Sequence, residues 1–226
     1  MIVPTLNEEE NIAYVIHELN QMGYGKIMVI DGNSVDRTVE IARELGVDII
    51  MQNGRGKGSA LRQVFGDENI DGDLIVIMDA DGSMRPAEIP LLIGGLDKGA
   101  DVVKASRFLQ SGYSEDMNLI RRIGNRIFVL LTNWLCFTNY TDLCYGFAAF
   151  RKNAIKRLYP HLKSKNFEIE TEIFIKAKKL GLEVLEVPSV ELRRRHGKSN
   201  LSGFRDGFRI LKTIIEELFN GSYISS

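Results

Sequence analysis

The sequence has few cysteines, no long apolar run and almost no net charge, and each shortage excludes something. Its two cysteines are too few for a disulfide framework or a cysteine-based metal cluster, which favours a reducing compartment such as the cytosol. The longest apolar run, IFVLLTNWLCF (127–137), is about half of a membrane span, so we expect no transmembrane segment. We find no signal peptide, internal repeat or Pro/Gly/Ser-rich linker, and we expect one domain over residues 1–226.

The net charge of −1 conceals two halves of opposite sign. Residues 1–103 contain 8 Lys and Arg against 18 Asp and Glu, whereas residues 104–226 contain 21 against 12. An acidic half suits a metal site, and a basic half suits a phosphate-bearing or membrane-surface partner. Charges spread over solvated faces would give the same totals. We predict no nucleic-acid partner.

Apolar runs alternate with helical patterns along the first half of the chain. The predicted strands there are 1–3, 26–31, 48–51, 73–79 and 100–106. The second half predicts helices at 118–137, 169–180 and 202–219 and strands at 146–152 and 183–190. This order indicates an α/β fold with a Rossmann-like, mostly parallel sheet and helices on both faces. Ligands of such sheets bind at the carboxyl ends of the strands, where Asp31 and Asp79 lie.

The stretch VIMDADGSMRP (76–86) places two carboxylates two residues apart after an apolar strand. Asp79 and Asp81 could both reach one hard cation, Mg²⁺ or Mn²⁺, and bridge it to a diphosphate. The same stretch also fits a solvated turn, because Asp and Gly are common turn residues. A third interpretation is the nucleophile loop of a phosphatase, with Asp79 as nucleophile and Asp81 as general acid.

Three further segments follow predicted strand ends: PTLNEEENI (4–12), IDGNSVDRT (30–38) and NGRGKGSALR (53–62). Asp31 could accept a hydrogen bond from a nucleobase or ribose, or could stabilise its own turn. Lys57 and the backbone N–H groups of the Gly-rich loop could meet phosphate or nucleobase, although the loop lacks Walker A spacing.

Together with MDADGS (78–83), these segments resemble the nucleotide-binding half of family 2 glycosyltransferases, in the family's order, over residues 1–106. The resemblance implies a GT-A fold, a nucleotide-sugar donor and a divalent metal held by Asp79 and Asp81. The residues that it implies for donor binding are Pro4, Leu6, Asn7, Glu8, Asp31, Asn33, Lys57 and Asp79.

Residues 107–226 are expected to bind the acceptor. The motifs KASRF (104–108), RRIGNRIF (121–128), TDLCYGFAAFRK (141–152), FEIETEIFIKAKKLG (167–181) and LRRRHGKSN (192–200) are similar to dolichyl-phosphate mannose and glucose synthases. This resemblance implies transfer, with inversion, of a sugar from a UDP- or GDP-sugar to a polyprenyl phosphate at the cytosolic membrane face. The residues implied for the reaction are Asp81, Arg107, Arg122, Asp142, Glu170, Arg193, Arg195 and Ser199. The chain departs from the pattern at Ser83, where the mannose enzymes commonly have Gln, and at Asn200, where the loop usually ends in Lys.

Other functions stay open at this point. A family 2 transferase with a sugar-hydroxyl acceptor would need a base, for which Glu170 or Glu172 is available. A phosphatase would need an acidic pair after a later strand, but the strand at 183–190 ends in Pro and Ser. A binding module without catalysis would not require an intact DxD pair and basic loop.

The basic loop and the last helix suggest contact with anions and lipid. In an extended loop Arg193 and Arg195 would project to one side and could hold two phosphates. The last helix carries an apolar stripe and a parallel basic stripe formed by Arg205, Arg209 and Lys212. The apolar stripe consists of Phe204, Phe208, Leu211, Ile215 and Leu218. It predicts either peripheral membrane contact or docking onto the core. A homo-oligomer is compatible with the sequence.

Overall fold

The computed structural model describes residues 1–24 and 26–219, without the side chain of Leu218. Its strands are β1 (Ile2–Thr5), β2 (Met28–Asp31), β3 (Asp48–Met51), β4 (Leu74–Ile77), β5 (Val102–Ser106), β6 (Tyr113–Ser114), β7 (Ala148–Arg151), β8 (Val184–Pro188) and β9 (Val190–Glu191). Its α-helices are α1 (Ile12–Gln21), α2 (Thr38–Glu44), α3 (Lys57–Phe65), α4 (Ile89–Asp97), α5 (Leu119–Cys136), α6 (Lys152–Leu158), α7 (Ile169–Lys179) and α8 (Gly203–Phe219).

In the described part of the chain, seven strands form the main sheet in the order β3-β2-β1-β4-β7-β5-β8. β7 is antiparallel to both of its neighbours, and the other pairs are parallel. The expected mostly parallel sheet is therefore confirmed. The parallel order brings the carboxyl ends of β1, β2, β3 and β4 to one edge, which is where ligands bind in open α/β sheets.

The sheet is covered on both faces because successive strand residues point to opposite sides. Ile2, Ile30 and Ile77 pack in a cluster with α3, α6 and α7. Val3 and Val29, their neighbours in sequence, pack in a second cluster with α1, α2 and α4. The strands are apolar at consecutive positions for this reason.

The last helix docks onto the core through a face that its apolar stripe did not indicate. Ile210 and Ile214 are buried, whereas Phe204, Phe208 and Ile215 are 87%, 70% and 44% exposed. Polar contacts secure the buried face, because Lys176 of α7 donates to Glu217 over 2.8 Å. The docking interpretation of the stripe is therefore wrong for Phe204, Phe208 and Ile215, and the side chain of Leu218 lies outside the described residues.

Most predicted elements are present with shifts of one to three residues, but α4 and α6 were not predicted. α4 begins after a turn of 3₁₀ helix at Pro86–Glu88 and contains a second proline and two glycines, which weaken a helical pattern. α6 follows β7 directly, so no turn residues separate the two elements in sequence. None of the described helices is long and apolar enough to cross a bilayer.

Lys104 provides a test of the buried polar contacts behind the sheet edge. Its side chain is fully buried, its ammonium lies 2.6 Å from Glu186, and it donates to the carbonyl of Asp142. We predict that Lys104→Ala lowers the free energy of unfolding by about 3–5 kcal/mol, because Glu186 loses its charged partner. Urea unfolding measures the change.

The matched control for this substitution is Lys212→Ala. Lys212 pairs with Glu216 at 3.5 Å on the solvent-exposed side of α8. Its loss should change the free energy of unfolding by less than about 1 kcal/mol. Equal effects of the two substitutions would contradict the structural role of Lys104.

Candidate active site

A cavity of about 860 Å³ lies at the carboxyl ends of β1, β2 and β4 and extends between α5 and α8. Predicted site residues that line it are Pro4, Leu6, Glu8, Asn33, Lys57, Asp79, Asp81, Arg107, Glu170 and Ser199. Arg122, Asp142, Arg193, Arg195, Asn7 and Asp31 are predicted site residues that do not line it. The sequence motifs of both halves therefore meet in one cavity.

The two aspartates that follow β4 have different local partners. Asp81 accepts hydrogen bonds at Oδ1 from the N–H and hydroxyl of Ser83, at 3.0 and 2.7 Å. Asp79 pairs through Oδ1 with Lys57 at 2.6 Å. The side chains of Asp79 and Asp81 remain 30% and 21% exposed, so both carboxylates are accessible from the cavity.

Lys57 connects the first half of the chain to the second. Its ammonium lies 2.6 Å from both Asp79 and Glu170. Burial lowers the pKa of Lys57, but the two carboxylates outweigh burial and raise it above its ordinary value. Burial also raises the pKa of Glu170, partly offset by Lys57. A Cβ on Gly146 would come within 2.6 Å of the Lys57 and Glu170 head groups, so a larger residue there would displace this ion pair.

Asp79 and Asp81 have the chemistry of a divalent-cation site. Carboxylate oxygens are the hard ligands that Mg²⁺ and Mn²⁺ prefer, and both side chains face the cavity. Within residues 1–24 and 26–219, no group of three His, Cys, Asp or Glu side chains gathers in a metal-binding arrangement. A cation held by Asp79 and Asp81 would need its remaining ligands from water or a bound anion.

Asp31 and Asn7 stabilise turns at the sheet edge. Asp31 is fully buried and accepts from the N–H and hydroxyl of Ser34, at 2.8 and 2.6 Å. Asn7 accepts from the N–H of Val35 at 2.9 Å. The turn interpretation of Asp31 thus describes its contacts, and Asp31 does not line the cavity that Asp79 faces. Asn33, two residues after Asp31, lines the cavity.

Packing accounts for two of the three glycines of the Gly-rich loop, Gly56 and Gly58. A Cβ on Gly56 or Gly58 would lie within 2.6 Å of the segment 164–166. The N–H of Ser59 donates to the carbonyl of Lys165 at 3.0 Å. The expected meeting of the loop's N–H groups with phosphate is corrected for Ser59, whereas the side chain of Lys57 does face the cavity.

In the basic loop, Arg194 faces the cavity and its neighbours do not. Arg194 pairs with Asp81 at 3.2 Å and with Glu8, and it lines the cavity. Burial raises the pKa of Glu8, and the Arg194 guanidinium partly offsets this effect. Arg193 is exposed, and Arg195 is exposed with its guanidinium 3.8 Å from the ring centre of Tyr14. The stem of Arg195 packs against Gly82, and the arginine of this run that lines the cavity is Arg194 instead of the predicted Arg193 and Arg195.

Arg107, which lines the cavity, forms a buried pair with Asp142, which does not. Two nitrogens of Arg107 donate to the two oxygens of Asp142 at 2.7 and 2.9 Å, and a third donates to Glu191 at 3.1 Å. Burial raises the pKa of Asp142, but the Arg107 guanidinium outweighs it and holds that pKa below its ordinary value. Asp142 is fully buried and does not line the cavity, so its predicted reaction role is corrected to positioning Arg107.

Of the two adjacent arginines near the start of α5, Arg121 lines the cavity, whereas the predicted Arg122 is exposed with its guanidinium 6.0 Å from the ring centre of Phe108. One step along a helix turns a side chain by about 100°, so adjacent arginines cannot share a face. Arg205 and Arg209 of α8 also line the cavity. Asp116 and Asp206 line the same part, where Asp206 pairs with Arg209 at 2.8 Å and Asp116 lies 4.0 Å from Arg121. With three arginines against two carboxylates, this part of the wall keeps a small excess of positive charge.

Of the three glutamates near the start of α7, one faces the cavity. Glu168 accepts from backbone N–H groups at 165 and 166, and Glu172 accepts from those at 163 and 164. Glu170 lines the cavity instead. Sequence reasoning did not single out Arg121, Glu191 and Arg194. Helical periodicity could have identified Arg121, through its spacing from Asn125.

Comparison with known proteins identifies relatives by sequence. Residues 1–159 match the profile described as "Glycosyl transferase family 2". The chain is 32% identical over 208 residues to glycosyltransferase AglJ of Haloferax volcanii, which covers 92% of this chain and 67% of that protein. It is 30% identical over 226 residues to the dolichol-phosphate mannosyltransferase of Pyrococcus furiosus, covering 96% of this chain and 61% of that protein.

Solved structures show the same fold. One is glucosyl-3-phosphoglycerate synthase from Mycobacterium tuberculosis in complex with Mn²⁺, UDP-glucose and phosphoglyceric acid. It matches with a TM-score of 0.77 at 21% identity, covering 96% of this chain and 78% of the other. At this identity the likeness establishes the fold, and the expected GT-A architecture is confirmed.

The Arg107–Asp142 pair predicts an acid-dependent stability. Ionised Asp142 stabilises the fold above its ordinary pKa of about 3.9, and this contribution is lost as the pH falls through its lower folded pKa. We predict that Asp142→Asn lowers the free energy of unfolding by about 3–5 kcal/mol at pH 7, because Arg107 loses a buried partner. The difference from wild type should be constant down to about pH 5 and shrink below about pH 4.

Urea unfolding across this pH range measures the difference. Asp97→Asn, the same substitution at an exposed position, is the control and should change the free energy of unfolding by less than about 0.5 kcal/mol. A difference for Asp142→Asn that grows as the pH falls would contradict the pairing.

Proposed function

The chain belongs to glycosyl transferase family 2, and from this premise we propose that it transfers a sugar from a UDP- or GDP-sugar to a polyprenyl phosphate, with inversion and a divalent cation. The proposal places the reaction at the cytosolic face of a membrane. The observation that carries it is one cavity with aspartates on one wall and the arginines of α5 and α8 on another. The phosphatase interpretation is dropped, because the family match includes Asp79 and Asp81.

The aspartate wall is assigned to the donor. Asp79 and Asp81 would hold Mg²⁺ or Mn²⁺, which stabilises the charge that gathers on the diphosphate leaving group. The similar synthase structure contains Mn²⁺ with UDP-glucose. Pro4, Leu6 and Asn33 border the same end of the cavity and are assigned to the nucleoside.

The basic wall is assigned to the acceptor phosphate. Arg121, Arg205 and Arg209 come from two neighbouring helices and line one part of the cavity. Arginine donates paired hydrogen bonds that match a phosphate, which makes it the suited residue for such a group. The similar Pyrococcus protein is named a dolichol-phosphate mannosyltransferase, which supports a polyprenyl-phosphate acceptor.

The state of Glu170 favours a phosphate over a hydroxyl acceptor. A hydroxyl must lose a proton to a base, whereas a phosphate monoester is mostly ionised at pH 7, with a second pKa of about 6. Glu170 lines the cavity but is ion-paired with Lys57, and Glu172 is bound to backbone N–H groups. Neither carboxylate is therefore arranged as a general base.

The surface of α5 and α8 supports membrane contact. Phe204 and Phe208 of α8 are largely exposed, as are Ile120, Leu130 and Trp134 of the adjacent α5, at 66%, 62% and 75%. Monomeric soluble proteins rarely expose large apolar patches. The same two helices also carry exposed basic side chains, which suit a bilayer with anionic lipids. They are Arg122, Arg126, Arg205 and Lys212. The acceptor part of the cavity would then open towards the lipid.

Transfer assays test the proposed function. We predict that the purified protein glycosylates a short polyprenyl phosphate from one of a set of UDP- and GDP-sugars, and that polyprenol without phosphate is not a substrate. Asp81→Asn and excess EDTA should each abolish transfer, because the substitution removes one ligand of the cation and EDTA removes the cation itself. Radiolabelled lipid product measures the reaction.

The outcome that would contradict this function is equal transfer to polyprenol, to a sugar hydroxyl, or in excess EDTA. Asp97→Asn is the control for Asp81→Asn, since Asp97 is exposed and does not line the cavity. Circular dichroism confirms that both variants are folded.

A second assay tests the membrane surface. Trp134 is the only tryptophan of the chain, so its emission reports α5 directly. We predict a blue shift on addition of anionic vesicles, co-flotation of the protein with them, and loss of both in the double variant Phe204→Ser/Phe208→Ser. Val35→Ser, at a 91% exposed position between β2 and α2, should behave as wild type. A wild-type protein that stays unbound at low salt would refute membrane contact.

A further inference from the structure

Arg194 has charged or carbonyl partners for each of its guanidinium nitrogens. Nε donates to the carbonyl of His196 at 2.7 Å, one terminal nitrogen donates to Asp81 Oδ2 at 3.2 Å, and the other pairs with Glu8. The side chain is only 13% exposed. The guanidinium of Arg194 thus pairs with Asp81, one of the two aspartates that are assigned to the divalent ion.

Only one carboxylate oxygen of Asp81 has a partner that a divalent ion could replace. Its Oδ1 is bound by the backbone and hydroxyl of Ser83, two residues away in the same turn, whereas its Oδ2 is bound by Arg194. A divalent ion that binds Oδ2 must compete with Arg194, because two cations cannot share that position without strong repulsion.

Lys57, the cation paired with Asp79, is held differently. It sits on α3, it is almost fully buried, and its removal from between Asp79 and Glu170 would leave a buried carboxylate without its partner. Arg194 instead lies in a loop without helix or strand structure. Its second partner, Glu8, is also buried, but Glu8 keeps the side chain of Asn11 as a donor at 2.7 Å when Arg194 moves. Arg194 is therefore the cation whose change of partner leaves the smaller uncompensated charge.

The loop backbone is anchored independently of the Arg194 side chain. The N–H of Leu192 donates to the carbonyl of Ser83 at 2.8 Å, and that of Arg195 to the carbonyl of Asp81 at 3.2 Å. The guanidinium of Arg195 stacks on Tyr14 at 3.8 Å. The Arg194 side chain can therefore swing without release of the loop.

We propose that Arg194 is an exchangeable counter-ion. When a divalent ion binds Asp81, the side chain of Arg194 moves from Asp81 to the diphosphate of the donor. This inference rests on the proposed function, because it uses the assignment of the aspartates to a cation and a nucleoside diphosphate. Arg194 then competes with the metal and cooperates with the nucleotide. Binding of the metal and binding of the nucleotide are therefore coupled through Arg194. The metal frees Arg194 from Asp81 to bind the diphosphate, and the diphosphate holds Arg194 away from Asp81.

Mn²⁺ binding, followed by the electron paramagnetic resonance signal of free Mn²⁺, tests the inference without any turnover. We predict that Arg194→Gln binds Mn²⁺ about fivefold more tightly than wild type in the absence of nucleotide, the effect of losing one competing ion pair. The same variant should bind UDP and GDP more weakly in the absence of metal. Consequently, the factor by which added nucleotide increases Mn²⁺ affinity should be about fivefold smaller in Arg194→Gln than in wild type. Arg194→Lys should lie between the two.

Arg193→Gln is the matched control, because it removes the same charge from the same loop at an exposed position outside the cavity. Its Mn²⁺ affinity should equal that of wild type. Mn²⁺ affinity that is unchanged or lowered in Arg194→Gln, or raised equally in Arg193→Gln, would overturn the exchange while leaving the proposed function standing. A wild-type protein that binds neither Mn²⁺ nor the nucleotides would overturn both.

Discussion

Lys57 lies between Asp79 and Glu170, 2.6 Å from each, and this three-membered ion pair joins the two halves of the chain inside the cavity. Asp79 follows the apolar strand β4, and Glu170 lies on α7, about 90 residues further along the chain. Parallel strands bring several carboxylates to one sheet edge, and such an edge is unstable unless cations compensate it. Lys57 supplies this compensation from within the fold.

The same solution recurs around the cavity. Arg107 is bound by Asp142 and Glu191, and Arg194 is bound by Glu8 and Asp81. Arg194, in residues 104–226, is thereby joined to Glu8 and Asp81 in residues 1–103, whereas Arg107, Asp142 and Glu191 all lie in the second half. Part of the opposite charge of the two halves is therefore neutralised by ion pairs between them, and the remaining charged side chains are available to ligands.

These contacts divide the basic residues into two kinds. Arg107 is fixed by carboxylates on several sides and shapes the wall of the cavity. Arg121 and Arg205 come from helices that also carry exposed apolar side chains, and they border the part of the cavity that we assign to the acceptor phosphate. A phosphate attached to a lipid has both a charged and an apolar part, which is the combination that these two helices present.

The sequence by itself determined the α/β class, the main strands, the DxD pair and the strand-end location of the site, because short apolar runs and turn residues act locally. It did not determine which member of a basic run faces the ligands. Arg121 and Arg122, or Arg193, Arg194 and Arg195, are equivalent in composition and differ only in the direction that the packed helix or loop gives them. The role of Asp142 and the docking face of α8 were likewise decided by tertiary structure, since both depend on partners far away in sequence, Arg107 for the one and Lys176 for the other.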